Sequence, residues 1–244
     1  MEELKGNMDK VLVLCDDRWH PAEVVEKGLA SLAGEDYQFD IITNAKEILT
    51  PEKLSGYQLI LCSKNNNVSA DNTEPWFEEG VTKVGPKELK KFVENGGTFA
   101  AIHSGVAFSE KSWGQEKKFW TPCMEYVDFV GCLFHGHPKR CPVHVHVTNP
   151  SHPLMKGVED FTEWDEHYQI DVIANDAQIL METSSEPGGT RPAGYVRTMG
   201  KGKVIVLTPG HTLDVWSNEN FQRILKNILN CNMEDKTLNR VREA

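Results

Sequence analysis

An α/β domain with a mostly parallel central sheet and helices on both faces is the fold this sequence predicts, on three observations. Short apolar runs have the length and unbroken hydrophobicity of strands buried on both sides: Val11-Leu12-Val13-Leu14-Cys15, Leu59-Ile60-Leu61-Cys62, Phe99-Ala100-Ala101-Ile102 and Val204-Ile205-Val206-Leu207-Thr208. Over the first hundred residues, segments with helical spacing alternate with these runs, as in a doubly wound sheet. Each run also stops at polar or ionisable residues: Asp16-Asp17-Arg18-Trp19-His20-Pro21, Ser63-Lys64-Asn65-Asn66-Asn67, His103-Ser104-Gly105 and Pro209-Gly210-His211-Thr212. Ligands of open parallel sheets bind outside the carboxyl ends of the strands, so these four clusters predict a pocket on one rim.

The elements follow in order. After the loop at 16–21, residues 22–32 have helical spacing with Val24, Val25, Leu29 and Leu32 as the apolar stripe. Residues 38–43 read as a strand carrying Phe39, Ile41 and Ile42, and 59–62 as the next. A helix over 86–94 opens with a proline and closes at Asn95-Gly96-Gly97, and the strand leading to His103 follows. Between about 105 and 153 the rhythm breaks into a segment rich in aromatics, histidine and proline. Within it, Pro142-Val143-His144-Val145-His146-Val147 alternates valine and histidine, a strand with a polar solvent face. Short strand and turn signals return after 160. A helix follows over 218–229, then a charged tail over 234–244 that is either surface helix or disordered. No internal repeat or low-complexity linker divides the chain, so its 244 residues predict one domain with a core over about 10–230.

Composition excludes several partners. A net charge of −10, with no run of basic residues interleaved with aromatics, argues against nucleic acid. No stretch is long and apolar enough to span a bilayer, and the first residues lack a secretory-signal profile. The six cysteines are scattered with no C-x-x-C pair, and Cys15 and Cys62 sit inside strand patterns; reduced thiols in the cytoplasm are the expectation. An assembly of identical chains is compatible with everything above.

His103, delivered to the rim by a rigid strand, and His211, at the end of the last sheet strand, are the histidines best placed for acid–base work. A ring that only satisfies local backbone groups is the competing reading of His103. Ser104 is not set in a G-x-S-x-G elbow, which argues against a serine hydrolase. In Phe134-His135-Gly136-His137-Pro138 the two imidazoles share a face if the segment is extended. Two histidines with outside ligands can hold zinc, whereas a turn with one pocket-facing histidine is the alternative. Trp164-Asp165-Glu166-His167-Tyr168 gathers two carboxylates, an imidazole and a phenol, and strand alternation lets at most one of Asp165 and Glu166 share a face with His167. Asn65 to Asn67 offer amide donors and acceptors, and Trp19, Trp113 and Trp216 lie beside the rims, an inventory suited to a sugar-like ligand.

The succession Gly97-x5-His103-Ser104-Gly105, Phe134-x-Gly136-His137-Pro138, Ser151-His152-Pro153-Leu154, Asp165-Glu166-x-Tyr168 and Gly200-Lys201-Gly202-Lys203-Val204-x4-Pro209-Gly210-His211 resembles the ThuA-like, or trehalose-utilisation, family. The resemblance runs from about residue 11 to 229. It implies a flavodoxin-like fold related to class I glutamine amidotransferases, with a pocket that includes His103, His137, Asp165, Glu166, Tyr168 and His211. Those relatives place a cysteine nucleophile where this chain has His103, so thiol-based amide hydrolysis is not expected. The family is associated with uptake and catabolism of trehalose and related sugars.

The catalytic candidates are therefore His103, His211, Glu166 and Asp165. The substrate-binding candidates are Asp17, His20, Asn65, Ser104, His135, His137, His167 and Tyr168. No cofactor is expected; a divalent metal such as zinc is a candidate, with His103 and His137 as its ligands. Two readings stand: an enzyme performing acid–base chemistry on a sugar or keto-sugar, and a non-catalytic sugar-binding or regulatory protein on an amidotransferase-like scaffold.

Overall fold

The computed structural model describes residues 9–34, 37–66, 82–110 and 121–243; Asn67 and Trp113, named above, lie outside them. The chain starts with strand β1 (Asp9–Leu14), helix α1 (Ala22–Ala30), β2 (Tyr37–Ile42), the short helices α2 (Ala45–Ile48) and α3 (Pro51–Leu54), and β3 (Leu59–Cys62). Helix α4 (Pro86–Glu94) and β4 (Thr98–Ile102) follow, then α5 (Met124–Val130), β5 (Cys132–Gly136), β6 (Cys141–Val147), β7 (Phe161–Asp165) and β8 (Gln169–Val172). The chain continues with β9 (Gln178–Ser185), β10 (Gly189–Met199), β11 (Gly202–Leu207), α6 (Leu213–Ser217) and α7 (Glu219–Glu243). Helix α7 carries on through the charged tail.

Nine strands form one sheet in the order β2-β1-β3-β4-β11-β10-β9-β6-β7, and β5 pairs with β8 apart from it. The first five are parallel, and the four strands whose ends were expected to meet, β1, β3, β4 and β11, are consecutive neighbours. Their pleat sorts the apolar residues between two layers. Val11, Val13, Leu59, Leu61, Ala100, Ile102, Ile205 and Leu207 face α1, α6 and α7, while Leu12, Leu14, Ile60, Cys62, Phe99, Ala101, Val204 and Val206 face α4 and α5. Each of these side chains is 2% exposed or less. Burying a Val, Leu, Ile or Phe side chain stabilises by roughly 1.5–3 kcal/mol, which is why unbroken apolar runs settle at the centre of a two-faced sheet.

The expectation of a mostly parallel sheet is corrected: β10, β9, β6 and β7 extend it in antiparallel fashion. Short connections are the physical reason. Met199 pairs with Gly202 across a two-residue loop in which Gly200 takes φ +59, and such a hairpin can link only antiparallel strands. On β6 the valines are buried and His144 and His146 exposed, as the alternation predicts. Trp216 lies beside the rim, its indole N–H donating to the Gly210 carbonyl at 2.7 Å, but is fully buried against Gly28, where a Cβ would sit 2.6 Å from the Trp216 Cβ. Among the described residues no helix is long and apolar enough to cross a membrane.

A histidine-rich candidate active site at the sheet rim

The carboxyl ends of the parallel strands carry the site. Beyond β1 the chain turns at Asp16, φ +73, and presents Asp17 and His20. His20 Nδ1 lies 2.6 Å from Asp17 Oδ1, and the same carboxylate accepts backbone N–H groups from Trp19 at 3.0 Å and Asn65 at 3.1 Å. Burial works against both charges, yet their mutual attraction wins: the His20 ring is held above its ordinary value and the Asp17 carboxyl below its own.

At the end of β4, His103 takes φ +46, a backbone region that non-glycine residues rarely occupy. The turn behind it is tight. A Cβ on Gly105 would fall 1.9 Å from the Cys62 carbonyl oxygen, so only glycine fits there. His103 is fully buried, its Nδ1 2.8 Å from the Thr208 carbonyl and its ring 3.9 Å from that of Tyr168, centre to centre. Burial depresses its basicity, and the neighbouring Glu166 carboxylate opposes that shift.

Glu166 is the hub. Its Oε2 lies 3.2 Å from His211 Nδ1, 3.3 Å from His137 Nε2 and 3.4 Å from His103 Nε2. Burial raises its affinity for a proton, but His103 and His211 outweigh burial and hold the carboxyl far below the usual range. The contacts to His103 and His211 are ionic in distance without hydrogen-bond alignment: His20 Nε2, His103 Nε2 and His211 Nδ1 are all buried and make no hydrogen bond.

Asp165, expected to act on substrate, is turned the other way. Its two oxygens accept the backbone N–H groups of Gly210 and His211, both at 2.9 Å, so it clamps the loop that carries His211. His167 also leaves the pocket: its Nδ1 lies 2.6 Å from Ser185 Oγ, and the ring packs on Gly188. It shares the pocket with neither carboxylate; the pair on one face is Glu166 and Tyr168, as the two-residue period of an extended chain requires.

His135 is likewise placed outside, exposed and 2.7 Å from Asp171. The expectation that His135 and His137 share a face fails because the β5–β8 register slips between Phe134 and Gly136, and Gly136 takes φ +133. Ser104 is buried behind His103 with its Oγ unbonded. For the metal expectation, His103 falls in a four-residue group with His20, Glu166 and His211, one ligand atom from each lying within 4.8 Å of the others, and His137 stands outside that group.

Above the cluster opens a cavity of about 350 Å³ lined by Trp19, His20, Asn65, Phe134, His137, Arg140, Glu166, Tyr168 and His211. Two comparably sized hollows beside α4 contain no histidine. Arg140 escaped sequence reasoning because a lone arginine after a turn carries no local signal. The joining of His20 to the cluster had a faint one, the Asp17-x-x-His20 spacing.

The structure resembles that of a ThuA-like protein from Bacteroides uniformis, with 19% identity and a TM-score of 0.64 over 93% of this chain and 92% of that one. A ThuA-like protein from Parabacteroides merdae gives 14% and 0.61 over 90% and 88%. A Thermoplasma acidophilum protein named as a component of GMP synthase gives 13% and 0.61 over 96% and 99%, and shares this fold. A search of curated protein sequences finds no match. The family model described as trehalose utilisation matches residues 10–230, which span every element of the site just described, and the chain belongs to this ThuA family.

Proposed function

We propose that the chain is a carbohydrate-converting enzyme that performs acid–base chemistry at the rim site, centred on Glu166, His103 and His211, without a cysteine nucleophile. The observation that carries this reading is the meeting of two buried imidazole nitrogens, neither hydrogen-bonded, at one ionised carboxylate on the floor of a ligand-sized cavity. Groups whose environments push their proton affinities apart can accept and donate within one cycle. Thiol chemistry is disfavoured on structural grounds. His103 occupies the strand-end position, and burial pushes the Cys15 and Cys62 thiols up to about 12, so both stay protonated near neutral pH.

The walls suit a polyhydroxylated ligand: Trp19, 45% exposed, and Phe134 offer aromatic surface, and Asn65 and the buried Tyr168 complete the lining. The family description suggests the substrate class, namely trehalose, a related sugar or a keto derivative of one. Isomerisation of a sugar, or lyase-type cleavage of a keto-sugar, needs a positioned acid and base and no nucleotide cofactor. The same aromatic walls favour one other reading, a sugar-binding protein without turnover.

The test is to incubate the purified protein with trehalose, related disaccharides and their keto derivatives, following products by chromatography and binding by calorimetry. Turnover is expected, falling by about 10²-fold or more in Glu166→Gln and His103→Gln and staying near wild type in His144→Gln. Binding without turnover would put the binding protein in place of the enzyme; neither binding nor turnover across the panel would sink both.

A further inference from the structure

We propose that His20, His103, His211 and Glu166 bind one divalent transition-metal ion of the zinc class at the cavity floor. The inference rests on reading this cavity as the active site and, in the metal-loaded protein, gives these side chains ligand roles in place of proton transfer. Ring tautomers argue first. A carbonyl oxygen can only accept, so the Thr208 carbonyl fixes the proton of a neutral His103 on Nδ1 and leaves Nε2 as a lone pair. The Asp17 carboxylate does the same for His20. Metal-binding histidines show this arrangement: one nitrogen donates to a carboxylate or backbone carbonyl, and the other faces the ion.

Geometry argues second. One ligand atom from each of His20, His103, His211 and Glu166 lies within 4.8 Å of the others, and His20 Nε2, His103 Nε2 and His211 Nδ1 are the ring nitrogens without a hydrogen bond. Around a tetrahedral ion with bonds of about 2.0–2.1 Å, ligand atoms stand about 3.4 Å apart. The Glu166 contacts to His103 and His211, 3.4 and 3.2 Å, already match that edge. The His103 and His20 side chains are 0% and 8% exposed, and buried nitrogens without a partner are costly unless something answers them.

Donor chemistry selects the ion. Three imidazoles and one carboxylate, with no sulfur, suit zinc, cobalt or a similar borderline ion rather than calcium or magnesium, which take oxygen shells. His20, Glu166 and His211 line the cavity and His103 lies beneath, so a sugar oxygen would approach the ion from the cavity side. His137, with Nε2 3.3 Å from Glu166 at the open side and Nδ1 on the Pro138 carbonyl, stays outside the ligand set.

The test uses tag-free protein stripped with a chelator, titrated with Zn²⁺ by calorimetry and with Co²⁺ by visible absorption. One equivalent should bind, with cobalt bands of low-symmetry nitrogen and oxygen ligation. His20→Gln and His103→Gln should weaken binding at least 10-fold, and Asp17→Asn by about 10- to 100-fold through the His20 ring it orients. Far-UV circular dichroism checks that each variant is folded. A His144→Gln/His146→Gln double variant removes the surface imidazole pair and should bind as wild type does. Absence of stoichiometric binding to the folded wild-type chain overturns the inference, as does binding lost in the double variant and retained in His103→Gln. The two readings fail separately: sugar turnover by stripped protein that binds no metal removes the ion and keeps the enzyme, and metal binding without turnover of any sugar does the reverse.

Discussion

His103 and His146 show how little residue type decides by itself. Both are imidazoles beside carboxylates, but one is fully buried at a strained strand end and the other stands on the open face of β6. At His146 the pairing is simple: Nδ1 lies 2.6 Å from Asp160 Oδ2, while Asp160 Oδ1 accepts the Val147 N–H at 2.8 Å. The Asp160 contact raises the His146 pKa above 6.5, with Glu182 adding to it and slight desolvation opposing it. His144, 4.0 Å from the same carboxylate, competes for its charge. A raised folded-state value means this pair supports the fold below pH 6.5 and ceases to as the pH climbs past that value. In an NMR titration, the His146 ring protons should show a midpoint above the ordinary value that falls back in Asp160→Asn. An unchanged midpoint would mean the pair does not hold in solution.

At the scale of elements, the site depends on backbone turns more than on the strands that precede them. The turn after β4 passes so close to β3 that Gly105 has no room for a side chain, and the atom a side chain would meet is backbone, which cannot swing away. Gly105→Ala should therefore destabilise the protein by about 3 kcal/mol or more, at the upper end of overpacking costs, measured as a lowered denaturant midpoint with an unchanged slope. A near-neutral substitution would show that the β4 turn is looser than its geometry. The Asp165 clamp is the complementary device, since it holds the His211 loop through two backbone N–H groups and leaves Glu166 to face the cavity.

The whole molecule explains how Glu166 reaches His103 at all. Strand β7 stands four places from β11 in the sheet, about 19 Å away at the usual strand spacing if the sheet were flat. Yet Asp165, the last residue of β7, lies 2.9 Å from the Gly210 N–H just after β11. The antiparallel half must curl over the carboxyl end of the parallel half, and the site is the seam. Two halves joined in this way should unfold together. Thermal unfolding followed by far-UV circular dichroism and by tryptophan fluorescence should give coincident single transitions; two separated transitions would mean the halves are independent units.

The sequence by itself determined the parallel strands and the polar clusters at their ends, because unbroken apolar runs and strand-end clusters are local signals. His103 and His211 were legible in this way, together with the solvent face of His144 and His146, whereas His137, Glu166 and Tyr168 were placed in the pocket by the family resemblance. Only the tertiary structure decided that Asp165 and His167 turn away from the cavity, that a register slip sends His135 to the surface, and that His20 joins the cluster. The physical reason is range. Alternation along a strand is set by neighbours two residues apart, whereas the facing of Glu166 toward His103 is set by a sheet that curls across four strands.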